Sequence, residues 1–148
     1  MTTAITLAGT EHATQVLGLM ARFHEDAGLP YDDAHRSTVA EPLLDGSPLG
    51  AIWLIGPGRA PLGYVMISFG WSVADGGMVG RLEEVYIRAS VRNRGIGTEV
   101  MHAVTVNLRQ AGLRAMHVQL QADAPAAAFC KRVGFAPVTG VIHMAETL

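Results

Sequence analysis

The stretch SVRNRGIGTEVM, residues 90–101, sets two arginines and an asparagine ahead of Gly-Ile-Gly and then a segment of helical character. A positively charged, glycine-tight turn at the mouth of a helix is a place for an anion. The first turn of a helix leaves its N–H groups without partners, and the helix dipole adds positive potential there. The expected ligand is a phosphate. Residues 97–111 carry the apolar stripe Met101, Val104, Leu108 and Ala111, which predicts the helix, and Gly112 stands where a C-terminal cap glycine belongs.

Working outward, the residues before the loop read as strands. RLEEVYIR (81–88) leads into it, ADGGMVG (74–80) reads as a turn, and GAIWLI (50–55) with LGYVMISFGWSV (62–73) form a hairpin around GPGRAP. Further upstream, AITLAG (4–9) is a short strand. Ala13, Val16, Leu17, Met20 and Phe23 then fall on one helical face, which Gly28 and Pro30 end. A weaker helix starts near Asp32 and carries Val39, Leu43 and Leu44, with Pro42 as a possible interruption. Beyond the loop helix, RAMHVQLQ (114–121) is a strand, APAAAFCKRVG (124–134) a short helix, and FAPV and VIHMAETL two closing strands. The order is β-α-α-β-β-β-α-β-α-β-β. It predicts a single-domain α+β fold with a central mixed, mostly antiparallel sheet flanked by helices.

Composition narrows the function classes. The chain has 148 residues, 49% hydrophobic and 16% charged, enough to bury a core and unlike a disordered chain. A formal net charge of −2 argues against a broad nucleic-acid footprint. One cysteine, Cys130, rules out an internal disulfide and suits a reducing compartment. The sequence shows neither a membrane-spanning run nor a signal peptide, so a cytoplasmic protein is expected. The six histidines lack metal-ligand spacing, so no metal is expected.

Three familiar phosphate loops fail by letter. Val100 stands where the dinucleotide fingerprint needs its third glycine, no Gly-Lys-Ser/Thr occurs, and the kinase loop lies between strands rather than before a helix. The pattern that remains is Arg/Gln-x-x-Gly-x-Gly/Ala, met by Arg92, Gly95 and Gly97. Together with LEEVYI before the loop and AFCKRVGF (128–135) late in the chain, it resembles the GNAT superfamily of acyl-CoA-dependent N-acetyltransferases. GYVMISFGWSVADGGMVGRLEEVYIRASVRNRGIGTEVM looks most like the diamine (spermidine/spermine) branch. The resemblance implies one N-acetyltransferase domain over residues 1–148, acetyl-CoA as co-substrate, a small-molecule amine acceptor and a homodimer.

It also assigns roles. The N–H groups of Gly95, Ile96, Gly97 and Thr98 would meet the pyrophosphate, with Asn93 in the same turn. Arg92 and Arg94 would either add charge-assisted contacts or only solvate the surface. The pantetheine arm would lie along Val85, Tyr86 and Ile87, where their strand parts from 114–121. Asp123, where the family often has asparagine, is a departure at one expected cofactor contact.

A protonated amine needs a base before it can attack a thioester. Strand alternation puts Glu83 with Val85 and Ile87 on one face, and Glu84 with Leu82 and Tyr86 on the other. By the resemblance Glu83 is the base and Glu84 a second base or substrate contact. The competing reading pairs both with Arg81 or Arg88. The family's tyrosine that protonates the leaving thiolate is here Cys130, which is either a proton donor or a small buried filler, with solvent or Tyr86 as substitute. Glu25 and Asp26, with Asp32 and Asp33, either attract a cationic amine or form a solvated turn in which Asp32 caps a helix. Two other functions stay open: acetylation of a protein or peptide amine, and a non-catalytic acyl-CoA-binding sensor.

Overall fold

The computed structural model describes residues 3–148. Five strands, β1 (Ile5–Leu7), β2 (Gly50–Ile55), β3 (Gly63–Ser72), β4 (Gly77–Ile87) and β5 (Ala115–Val118), lie in the order β1-β2-β3-β4-β5. The first three pairings are antiparallel and β4–β5 is parallel, giving a mixed sheet. Four helices, α1 (Ala13–Asp26), α2 (Asp33–Leu44), α3 (Ile96–Gln110) and α4 (Ala126–Arg132), complete the fold.

Alternation in the central strands feeds two separate cores. Ile52, Leu54, Tyr64 and Met66 pack with Val16, Leu19 and Met20 of α1 and Ala40 of α2. Their neighbours Trp53, Ile55, Val65 and Ile67 point the other way, towards Val100, Met101 and Val104 of α3. The sheet is therefore covered on both faces, which is why β2 and β3 read as nearly continuous apolar runs. Each fully buried Leu, Ile or Met adds about 1.5–3 kcal/mol relative to exposure.

The helix ends follow local chemistry. The Asp32 side chain accepts a hydrogen bond from the His35 N–H at 2.8 Å, capping α2. Gly28, at φ +67°, ends α1, and the Leu29 N–H reaches back to the His24 carbonyl. Pro42 does not interrupt α2, which runs on to Leu44.

Several expected boundaries differ. Residues 77–80 belong to β4 rather than to a turn, since Gly77 pairs with Ser72 and Gly80 with Phe69. Gly80 marks a close approach: a Cβ there would lie 2.6 Å from the Met116 sulfur. β5 is only Ala115–Val118, shorter than the expected 114–121. The two closing strands are absent: residues 136–148 form neither strand nor helix and are exposed throughout. Their β-forming residues stand in water and pair with no strand among the described residues.

The pairing of β3 with β4 is irregular. Met66 faces Glu84 and Ile67 faces Leu82, so Glu83 is an extra residue opposite that step. The bulge corrects the expected strand faces. Leu82 joins Val85 and Ile87 against α3, while Glu84 and Tyr86 face α1.

Candidate active site

β4 pairs with β5 only from Val79–Ala115 to Leu82–Val118. Beyond Leu82 the two strands part, and the edge of β4 facing away from β3 has no strand partner. A cleft of about 700 Å³ opens there. One wall is Val85, Tyr86 and Ile87, another the loop Arg92–Thr98, and the remainder comes from Phe23 and Asp26 of α1 and Phe129 of α4. The cleft thus crosses the free edge of β4 from one helical layer to the other.

The loop leaves backbone amides unpaired at the start of α3. Gly95 is the N-cap of α3 with φ +77°, and Asn93 also has positive φ, at 63°. The first α3 hydrogen bond runs from the Glu99 N–H to the Gly95 carbonyl. The amides of Gly95, Ile96, Gly97 and Thr98 donate to no acceptor among the described residues, and they lie at the positive end of a helix of 15 residues. The two glycines differ in purpose. Gly95 supplies the left-handed turn, whereas Gly97 is helical, and a Cβ on it would lie 2.9 Å from the Phe129 ring and 3.2 Å from the Ile87 side chain. Gly97 therefore lets α3 sit close to α4 and β4.

The Arg92 guanidinium donates to the Ile87 carbonyl at 2.7 Å and lies over the Tyr86 ring, 5.4 Å from its centroid. It is held at the cleft wall rather than free in solvent. Of the other residues expected at the cofactor, Val85, Tyr86, Ile87, Asn93, Gly95, Ile96, Gly97 and Thr98 line the cleft, while the exposed Arg94 and Asp123 do not.

The bulge sends both glutamates towards the α1–α2 side, where their surroundings differ. One Glu84 oxygen accepts from the Tyr64 hydroxyl at 2.7 Å, and the other lies 2.6 Å from Nε2 of His24. Arg36 Nη1 stands 3.4 Å from Nδ1 of the same imidazole and donates to the Tyr31 carbonyl, while its other nitrogen pairs with Asp33 at 2.7 Å. This arrangement places the His24 proton on Nε2, facing the carboxylate. Glu83 has a single hydrogen bond, from Ser68 to Oε2 at 2.7 Å, with Arg81 3.6 Å away. Its Oε1 has no partner among the described residues.

His24, Arg36 and Tyr64 were not singled out from the sequence. A signal existed for His24. It lies four residues after Met20 and eight after Val16, on the buried face of α1, where a polar side chain needs a partner.

Burial, followed by the adjacent Glu84 charge, pushes the Tyr64 phenol well above its ordinary value. For an acid whose folded pKa is raised, the stabilising contribution is present below the unfolded value, about 10, and is lost as pH climbs above it. The folded protein should therefore lose stability steeply beyond pH about 10. In Tyr64→Phe, urea unfolding curves between neutral and alkaline pH should show that loss flattened.

The acidic cluster divides. Asp26 lines the cleft and accepts from the Tyr86 hydroxyl at 3.3 Å, with Glu25 beside it in an adjoining hollow that also includes Arg88. Asp32 and Asp33 are used within α2. The structure does not bring Cys130 to the cleft wall; Phe129 takes that place. Cys130 is buried, and burial pushes its thiol up.

No curated protein sequence matches the chain. Solved structures do. An integron cassette protein from the mobile metagenome of Cole Harbour Salt Marsh shares 26% identity at a TM-score of 0.83, covering 97% of this chain and 90% of that one. A possible acetyltransferase from Clostridium difficile 630 shares 13% identity at a TM-score of 0.86, over 100% and 99% of the two chains. AAC(6')-Iy, in complex with the bisubstrate analog CoA-S-monomethyl-acetylneamine, shares 20% identity at a TM-score of 0.79, with 100% of both chains covered. The model of the acetyltransferase (GNAT) family matches residues 16–135, spanning the helices, the bulged strand and the anion loop alike, and the chain belongs to that family.

Proposed function

We propose that this protein transfers an acetyl group from acetyl-CoA to a primary amine of a small molecule, by direct attack in a ternary complex. The observation that carries this reading is the set of free amides at Gly95–Thr98, opening onto a cleft along the unpaired edge of β4. Those amides and Arg92 would hold the pyrophosphate, and the free edge at Val85–Ile87 offers main-chain partners to an extended amide arm. Arg94 and Asp123, outside the cleft wall, are peripheral contacts.

The amine nitrogen attacks the thioester carbonyl carbon, a C–N bond forms, and the C–S bond breaks. The amine proton passes to Glu83, directly or through water, and the departing thiolate takes up a proton. Glu83 suits the base because one oxygen is free, whereas both oxygens of Glu84 are engaged. Glu84 holds the floor of the acceptor side through His24 and Tyr64. Tyr86 is our proton donor to the thiolate, since it lines the cleft and Cys130 does not. Tyr86→Phe should lower kcat by about tenfold or more, with Cys130→Ala near the native rate. The reverse pattern in steady-state kinetics would return that role to Cys130.

Glu25 and Asp26 favour a cationic acceptor at the end of α1. Diamines and polyamines are one such class. Aminoglycosides are another, named for the structural neighbour AAC(6')-Iy. The protein is read as a cytoplasmic homodimer. CoA release from acetyl-CoA across diamines, polyamines, aminoglycosides, amino acids and N-terminal peptides tests the reading. Turnover with one small-amine class supports it, turnover with peptides alone moves the acceptor to protein, and tight acetyl-CoA binding with no turnover makes the domain a sensor.

A further inference from the structure

Acetyl transfer by Glu83 and Tyr86 leaves one buried titratable side chain without a task. His24 is 2% exposed in the last turn of α1, and three parts of the chain meet on its ring. Nε2 faces Glu84 of β4 at 2.6 Å, and Nδ1 faces Arg36 of α2 at 3.4 Å. Tyr31, from the connection between the two helices, packs edge-on with 5.1 Å between ring centroids. The buried Arg36 donates to the Tyr31 carbonyl, and the Leu29 N–H donates to the His24 carbonyl at 2.8 Å. Polar groups taken out of water cost stability unless every partner is in place, and an apolar residue here would carry no such cost.

The ring joins parts of the chain that decide where Glu83 points. Glu83, the extra residue of the bulge, lies between two anchors on opposite faces of the sheet. Leu82 is packed in the α3-side core, and Glu84 is held on the α1 side. The Glu83 side chain has a single hydrogen bond of its own, from Ser68, so the direction of its free oxygen depends on the backbone between those anchors. Tyr64 fixes only one Glu84 oxygen. The other oxygen, and with it half of the α1-side anchor, depends on the His24 N–H.

We propose that His24 is a positioning residue, which locks the α1–α2 connection to the bulge of β4 and so sets the direction of the Glu83 carboxylate. It does not line the cleft and acts only through Glu84 and Arg36. Its two nitrogens have separate tasks. Nε2–H holds Glu84, while Nδ1 accepts from Arg36 and keeps that guanidinium against the Tyr31 carbonyl. The effect on rate rests on acetyl transfer with Glu83 as the base, whereas the mechanical link between the two walls does not.

Glutamine and asparagine separate the two tasks. The amide nitrogen of glutamine reaches the place of Nε2, and the amide of asparagine the place of Nδ1. His24→Gln should keep kcat close to the native value. His24→Asn and His24→Leu should each lower kcat about 100-fold, as expected when a reacting group is displaced by about 1 Å, with the KM for acetyl-CoA unchanged. Amide hydrogen exchange should quicken at residues 29–36 and 82–85 in the Asn and Leu variants but not in His24→Gln. Nitrogen NMR of the native imidazole should find the His24 proton on Nε2, and a proton on Nδ1 would overturn the proposal. So would native kcat in His24→Leu, an equal loss in all three variants, or a rate kept by His24→Asn and lost by His24→Gln. If the native protein turns over no amine, acetyl transfer fails and hydrogen exchange alone decides. Native protection in all three variants would then overturn the link between the walls as well.

Discussion

Glu83→Gln is expected to lower kcat for the amine acceptor by about 100-fold or more, while acetyl-CoA affinity stays at the native level. The carboxamide keeps the size of the side chain and can still accept from Ser68, but it cannot take a proton from the amine. Glu83 lies outside the cleft that contains the anion loop, so cofactor binding has no reason to change. Glu84→Gln should read out differently. Its carboxylate receives Tyr64 on one oxygen and the His24 N–H on the other, and an amide NH₂ group must face one of those donors. The expected cost is about 1–3 kcal/mol of stability, visible in urea unfolding. Kinetics and unfolding measured on both variants separate the two roles. Turnover retained in Glu83→Gln but abolished in a folded Glu84→Gln would move the base to Glu84.

Gly63→Ala should be the most destabilising single methyl in the molecule. A Cβ at residue 63 would stand 2.0 Å from the Tyr86 carbonyl oxygen and 3.0 Å from the Ile87 Cα. Both are backbone atoms of the paired strand, so no rotamer change relieves the clash. β3 and β4 would have to separate just where Val85–Ile87 line the cleft. We expect a loss of about 3 kcal/mol or more, equivalent to a fall in Tm of roughly 6–12 °C for a domain of this size. Gly97→Ala is milder, because Phe129 can swing aside. A native melting curve for Gly63→Ala would mean that the strands at this point are not held as described.

The comparison of these two glycines also shows how much was legible beforehand. The glycine turn that opens α3 could be read by letter, since Gly-Ile-Gly stands directly before a helical stripe. That Gly95 is needed for its dihedral and Gly97 for packing against Phe129 could not, because the second reason lies in contact with a helix about 30 residues away. Hydrophobic periodicity placed α1 and α3 well. It missed His24, which looks like a break in an apolar stripe until Glu84 and Arg36 are brought beside it.

By itself, the sequence determined the order of the elements as far as α4 and the place of the glycine turn at the mouth of α3. Those properties follow from local periodicity, glycine dihedrals and helix termini, all of which act within a few residues. The tertiary structure alone decided the surroundings of the two glutamates. Strict alternation would place Glu83 and Glu84 on opposite faces, and a single extra residue opposite Met66–Ile67 turns both to the same side. It also decided that β5 ends at Val118, leaving β4 an open edge and the cleft its wall. The closing strands 135–138 and 141–148 carry strand-forming residues but remain unpaired. Strand propensity is local, whereas a strand forms only when its backbone groups are paired with another edge.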